Sequence, residues 1–99
     1  MESIIHEVHG NKGGFYYELE GNRLAEMVYS MAGEKRMIIE HTEVDEWLKG
    51  QGIGKKLLEA LVEFVRKEDI KVIPLCPFAN ATFKRMTEWQ DVLVNAMVP

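Results

Sequence analysis

The chain has 99 residues, which suits a single domain over 1–99 with a real core and little surplus stability. Apolar residues make up 46% and charged residues 28%, and the formal charge of −4 argues against a broad nucleic-acid surface, since neutralising phosphates takes clustered Lys and Arg. One cysteine excludes an internal disulfide, and without an apolar leader or a long apolar run the sequence predicts a cytoplasmic protein with no membrane partner.

Ser3 to His9 reads as a first strand, although Ile4, Ile5 and Val8 do not alternate cleanly. Asn11-Lys12-Gly13-Gly14 turns the chain into a second strand, Phe15 to Leu19. Glu20-Gly21-Asn22 tolerates positive φ and closes a hairpin onto a third strand, Arg23 to Met31, whose Ala25, Met27, Tyr29 and Met31 share one face. After Ala32-Gly33-Glu34 a fourth strand, Met37 to Val44, completes an antiparallel meander. His6 and His9 are three apart on a strand and so on opposite faces, and no metal site is expected.

From about Gln51 to Lys67 the period becomes helical, with Ile53, Leu57, Leu58, Leu61, Phe64 and Val65 as the apolar stripe and Lys55–Glu59 and Glu63–Lys67 as i,i+4 pairs. Lys71 to Leu75 is short, apolar and β-branched, so Met37 to Leu75 forms a strand-helix-strand crossover with parallel strands and a right-handed connection. Pro74 cannot donate to a ladder, which predicts that the fourth and fifth strands separate toward their C-terminal ends. Asn80 or Thr82 is a candidate cap for a last helix with Phe83, Met86, Gln90 and Leu93 along one side, and Val94 to Pro99 reads as a final strand or a frayed end.

Between the fourth strand and the long helix stands Lys49-Gly50-Gln51-Gly52-Ile53-Gly54-Lys55. A helix start offers unpaired N–H groups and the positive end of the macrodipole, and glycine lets a ligand approach the backbone. The run therefore reads as an anion site built from the N–H groups of Gln51 to Lys55, assisted by Lys49, Lys55 or Lys56. A P-loop would need glycine at 49 and a hydroxyl at 56, and a dinucleotide fingerprint would need glycine at 55, so both are excluded. A ligand-free turn is the plainer alternative, but three glycines exceed what a turn requires.

The run resembles the acetyl-coenzyme A loop of the GNAT family of N-acetyltransferases, Gln/Arg-x-x-Gly-x-Gly/Ala after a strand, with Lys49 in the first place and Gly52 and Gly54 in the glycine places. His41-Thr42-Glu43, Cys76-Pro77-Phe78 and Glu88-Trp89-Gln90-Asp91-Val92 are similar to small single-domain GNAT-like proteins, so the likeness spans about Ile38 to Val92. It implies an α+β fold of the acyl-CoA N-acyltransferase type: a mixed β-sheet with helices on its faces, lacking the two helices usual between strands 1 and 2. It further implies that acetyl-CoA is held by Thr42, Val44, Lys49, Gly50, Gln51, Gly52, Ile53, Gly54, Lys55 and Asn80, its pantetheine arm in the strand splay and its thioester near His41, Thr42 and Cys76.

Three residues are catalytic candidates under that resemblance. Cys76 is the candidate nucleophile, a thiol that needs a base or a positive neighbour to ionise at neutral pH. His41 is the candidate base, for that thiol or for an acceptor ammonium, and Glu43, on the same face by period-two spacing, orients it or acts as base itself. Packing filler, a packed histidine and ordinary surface charge are the plainer readings of the three. Many GNAT enzymes protonate the departing thiolate with a tyrosine of the last helix, but the tyrosines here are Tyr16, Tyr17 and Tyr29, and Phe83 stands near the expected place. The expected function is acetyl transfer from acetyl-CoA to an amine, on a small molecule or a protein, directly or through an acetylated Cys76. The alternatives are a non-catalytic acyl-CoA binding or sensing module and a protein-interaction domain using the sheet edge or the Trp47 loop.

Overall fold

In the computed structural model, which describes residues 2–95, alternation along the chain sorts the strands of a mixed five-stranded sheet. The strands β1 (Glu2–His9), β2 (Lys12–Leu19), β3 (Asn22–Met31) and β4 (Arg36–Val44) pair antiparallel in sequence order, and β5 (Lys71–Pro74) joins β4 in parallel after the helix α1 (Ile53–Glu68). Phe15 and Tyr17 of β2, Ala25, Met27 and Tyr29 of β3, and Met37 and Ile39 of β4 are buried on one face. Leu57, Leu58, Leu61 and Val65 of α1 are fully buried in the same cluster. At about 1.5–3 kcal/mol for each fully buried aliphatic side chain, this packing outweighs any surface ion pair on the helix. The expected pairs Lys55–Glu59 and Glu63–Lys67 do not form, and Lys56 instead approaches Glu2 at 3.5 Å.

The Glu20-Gly21 hairpin forms as expected, with φ of 52° and 80° at its two central residues. The first turn is tighter than the sequence suggested. It is closed by Gly10 and Asn11, and Lys12, Gly13 and Gly14 already belong to β2. The reason is close packing: a Cβ at Gly13 would collide with the Tyr29 hydroxyl, and one at Gly14 with the Tyr16 hydroxyl. No helix therefore intervenes between β1 and β2.

Ile39 is the last β4 residue paired with β5, opposite Pro74, and its carbonyl accepts the N–H groups of both Leu75 and Cys76 at 3.1 Å. The β3–β4 register also shifts there, from Tyr29↔Ile39 to Val28↔His41, leaving Glu40 as an extra residue. Such a bulge bends its strand and resets which side chains face inward. Accordingly Glu40 and His41 are both exposed, and Thr42 and Val44 take up the inward positions. The strands separate beyond Ile39, as Pro74 predicted, with a bulge that no residue signalled.

The helix α2 (Pro77–Arg85) begins earlier than the candidate caps implied. Its N-cap is Cys76, Pro77 takes the first turn, where its missing N–H costs nothing, and Asn80 and Thr82 lie inside the helix. A 3₁₀ segment, Thr87–Val92, follows. Arg66 of α1 clamps it by bonding Asp91 at 2.6 Å and the Glu88 carbonyl at 2.6 Å, which holds the Asp91 carboxyl below its usual pKa. Leu93 bridges Val72 in parallel, and the Val94 N–H bonds the Val72 carbonyl at 3.1 Å. The rest of the expected tail, Ala96 to Pro99, lies outside the described residues.

The two helix starts touch through Gly54. A Cβ there would stand 2.7 Å from the Phe78 ring, so alanine at 54 must push that ring aside. Alanine gains about 1 kcal/mol over glycine in a helix, and the displaced ring opposes that gain. Gly54→Ala is expected to stabilise a Phe78→Ala background by about 1 kcal/mol and to be distinctly less favourable in the parent. Chemical denaturation of the four proteins measures the coupling, and its absence would refute the contact.

His6 is half-buried at the β1 side of the sheet. Its ring stacks on Phe15 with centroids 4.1 Å apart, meets Phe64 edge-on at 4.4 Å and hydrogen-bonds the Tyr29 hydroxyl at 2.6 Å. Burial lowers its pKa below the ordinary histidine value. Between the lowered and the ordinary value the unfolded chain holds the extra proton, so stability is complete above the ordinary value and falls as pH falls through that window. His6→Phe is expected to flatten the decline of the urea midpoint between about pH 7 and pH 5. Parallel pH profiles for variant and parent would show that His6 carries none of it.

Candidate functional site

Where β5 leaves β4, a cleft of about 730 Å³ opens, within the range of roughly 300–1,000 Å³ common for small-molecule sites. Thr42, Glu43 and Val44 of β4 form one wall, Leu48 to Gly50 and Gly52 to Lys55 the end, and Phe78 and Arg85 of α2 the other wall. The loop gains its shape from Gly50 and Gly52, at φ of 83° and 75°, where a side chain would strain the backbone. Gly52 is the N-cap of α1 and no side chain caps the helix. The first intrahelical bond is from the Lys56 N–H to the Gly52 carbonyl at 3.0 Å. The N–H groups of Gly52, Ile53, Gly54 and Lys55 are thus the four that a helix leaves unpaired, at the positive end of its macrodipole.

Two of the expected cofactor residues stand outside this arrangement. The Gln51 N–H bonds the Leu48 carbonyl at 3.2 Å and its side chain bonds the Trp47 carbonyl at 3.2 Å, so Gln51 braces the loop and does not line the cleft. Asn80 donates to the Pro74 carbonyl at 3.3 Å, tying α2 to the end of β5. Thr42, Val44, Lys49, Gly50, Gly52, Ile53, Gly54 and Lys55 all line the cleft. The Lys49 ammonium is drawn to Glu46 at 3.0 Å, whereas Lys55 has no ion-pair partner among the described residues.

The catalytic candidates are not gathered as one unit. Cys76 is 2% exposed, and its sulfur lies 3.3 Å from the Thr42 hydroxyl. His41 bonds Glu26 at 3.0 Å on the exposed side of β4. Neighbouring residues of a strand point to opposite faces, so with Thr42 against Cys76 the His41 ring is turned away, and the expected base-to-thiol pairing is not made. Glu43 shares the His41 face and also lines the cleft. Beside the cleft lies a hollow of about 230 Å³ where Glu26, Glu43 and Asp45 stand with Arg23, whose guanidinium is held by Glu7 and Glu18. Phe83 is buried in α2, and Tyr17 and Tyr29 are buried in the sheet. Among the described residues no three His, Cys, Asp or Glu side chains gather as a metal site requires.

The residues that sequence reasoning missed are Leu48, Phe78 and Arg85. Pro77 carried the signal for two of them. A helix started at that proline places Phe78 and Arg85 seven apart, on one face.

The sequence pattern of the family described as GCN5-related N-acetyl-transferase matches residues 14–92. A GCN5-like protein from Staphylococcus aureus, whose structure was solved in solution by NMR, is 38% identical, with a TM-score of 0.70 over 91% of this chain and 87% of its own. Protein NATD1 of Xenopus tropicalis is 38% identical over 52 residues, 52% of this chain and 48% of that protein, so the match spans about half the length of this curated relative. The fold is shared with a GNAT family acetyltransferase from Elizabethkingia anophelis crystallised with acetyl-CoA bound, at 12% identity and a TM-score of 0.67 over 87% of this chain and 74% of that one. The family pattern covers most of the chain, including both the glycine loop and the strand separation, and the chain belongs to the GCN5-related N-acetyltransferase family.

Proposed function

We propose that the cleft binds acetyl-CoA and that the protein transfers its acetyl group to an amine. The observation that carries this reading is the joining of two complementary surfaces in one cleft: four unpaired N–H groups at the start of α1, and the bare edge of β4 beyond Ile39. The first suits a diphosphate, the second the amides of an extended arm that replaces the missing strand. A strand N–H of Thr42 to Val44 then serves the developing oxyanion, and binding both reactants side by side supplies the rest of the acceleration. An ammonium acceptor suits the acidic hollow beside the cleft, and in this reading Glu43, which borders both spaces, takes its proton.

Transfer goes directly to the amine in this reading. The Cys76 thiol lies behind Thr42, and its acetylation would require that side chain to move. The thiol is expected to matter for packing, and Cys76→Ser to retain acetyl-CoA binding and most of any turnover. Amide shifts on titration with acetyl-CoA are expected at Thr42 to Val44 and Gly50 to Lys55. A flat titration at millimolar ligand would overturn the cofactor reading. Binding without turnover on any amine would favour an acyl-CoA sensor, and a thioester on Cys76 by intact mass would restore the two-step route.

A further inference from the structure

Arg85 ends α2 and lines the cleft, yet it forms no hydrogen bond or ion pair with any described residue. Arginines 23 and 66 differ: Arg23 is held by Glu7 and Glu18, and Arg66 by Asp91. The ionisable groups around the cleft are Lys49, Lys55 and Arg85 against Glu43, a local positive excess in a chain of net charge −4. In the proposed reading the N–H groups of Gly52 to Lys55 and the Lys55 ammonium take one anionic group, the diphosphate, at the start of α1. Arg85 comes from the other wall, at the end of α2. Phe78, at the first turn of α2, touches Gly54, and Arg85 follows seven residues later on the same face, about 10 Å along the helix at 1.5 Å per residue. The cleft therefore presents two cationic groups from different elements, one at the start of α1 and one at the end of α2.

Acetyl-CoA has two anionic groups to match, a diphosphate in its chain and a separate monoester on the ribose. Resting on the reading that this cleft holds acetyl-CoA, we infer that Arg85 binds the ribose 3′-phosphate and is the residue by which the cleft distinguishes coenzyme A from its 3′-dephospho form. A phosphate monoester carries close to two charges at neutral pH, and the planar guanidinium fork matches its oxygens in a paired contact that lysine does not reproduce.

Calorimetric titration of the full chain with acetyl-CoA and with 3′-dephospho-acetyl-CoA tests the assignment. The parent is expected to prefer acetyl-CoA by about tenfold, with the preference shrinking as salt is raised because Arg85 is exposed. Arg85→Gln is expected to bind both ligands as the parent binds the dephospho form, while the neighbouring Lys84→Gln keeps the preference. Equal affinity of the parent for the two ligands, or an equal loss on both in Arg85→Gln, overturns the assignment and leaves the cofactor reading standing. A parent that binds neither ligand overturns both.

Discussion

The site depends on one break in hydrogen bonding, at the level of Ile39. Its carbonyl takes the N–H groups of both Leu75 and Cys76, its strand partner Pro74 has no N–H to continue the ladder, and the next residue, Glu40, is the extra one of a bulge. Any one of these would weaken the β4–β5 pairing. Together they end it, because the acceptor is saturated, the donor is missing and the strand is bent away. Backbone polar groups require partners, so the β4 edge from His41 to Val44 is left to water or to a ligand that presents amides of its own. The same break directs the chain after β5 into α2, which brings Phe78 and Arg85 to face the glycine loop.

The short Gly10-Asn11 turn has an equally large effect on the other side of the sheet. Full-length relatives of this fold were expected to carry two helices there, and their place is taken by nothing more than the hairpin. The outer residues of β3 and β4 are consequently exposed or half-buried, among them Glu26, His41 and Glu43. Under the proposed transfer, an acceptor approaching them would meet an open, acidic surface in place of a walled pocket. Selectivity on such a surface rests on charge and on approach geometry, since few side chains can enclose the incoming group.

Local rules made much of this fold legible. Turn residues, alternation and a short β-branched run marked the five strands, the 3.6 period marked the long helix, and Pro74 marked the separation of β4 from β5. The errors have a common cause, which is contact between residues distant in sequence. Gly13 looks like a turn residue until the Tyr29 ring that covers it is in place. The bulge at Glu40 is set by register against β3, and a one-residue shift of register exchanges the two faces of a strand. That exchange is why Thr42, and not His41, meets Cys76. Most of the residues at the loop end of the cleft lay in one contiguous run and could be read there, whereas Arg85 became visible as a lining residue only once α2 was known to start at Pro77.

The three loop glycines illustrate how one sequence pattern combines separate physical demands. Gly50 and Gly52 are needed for positive φ, and a Cβ at either would meet no atom within 4 Å. Gly54 has an ordinary helical backbone and is needed for the Phe78 contact. The first two shape the loop that leads into α1, and the bonds from Lys49 to Glu46 and from Gln51 to Trp47 tie that loop to the segment before it. A loop organised in advance loses less conformational freedom on binding, which leaves more of the interaction free energy as affinity. The third glycine sets how far α2 stands from that loop, and through the helix rise it sets where Arg85 lies. Backbone packing therefore sets where the α2 position that carries Arg85 stands relative to the start of α1, and the exposed side chain adds its own reach to that spacing.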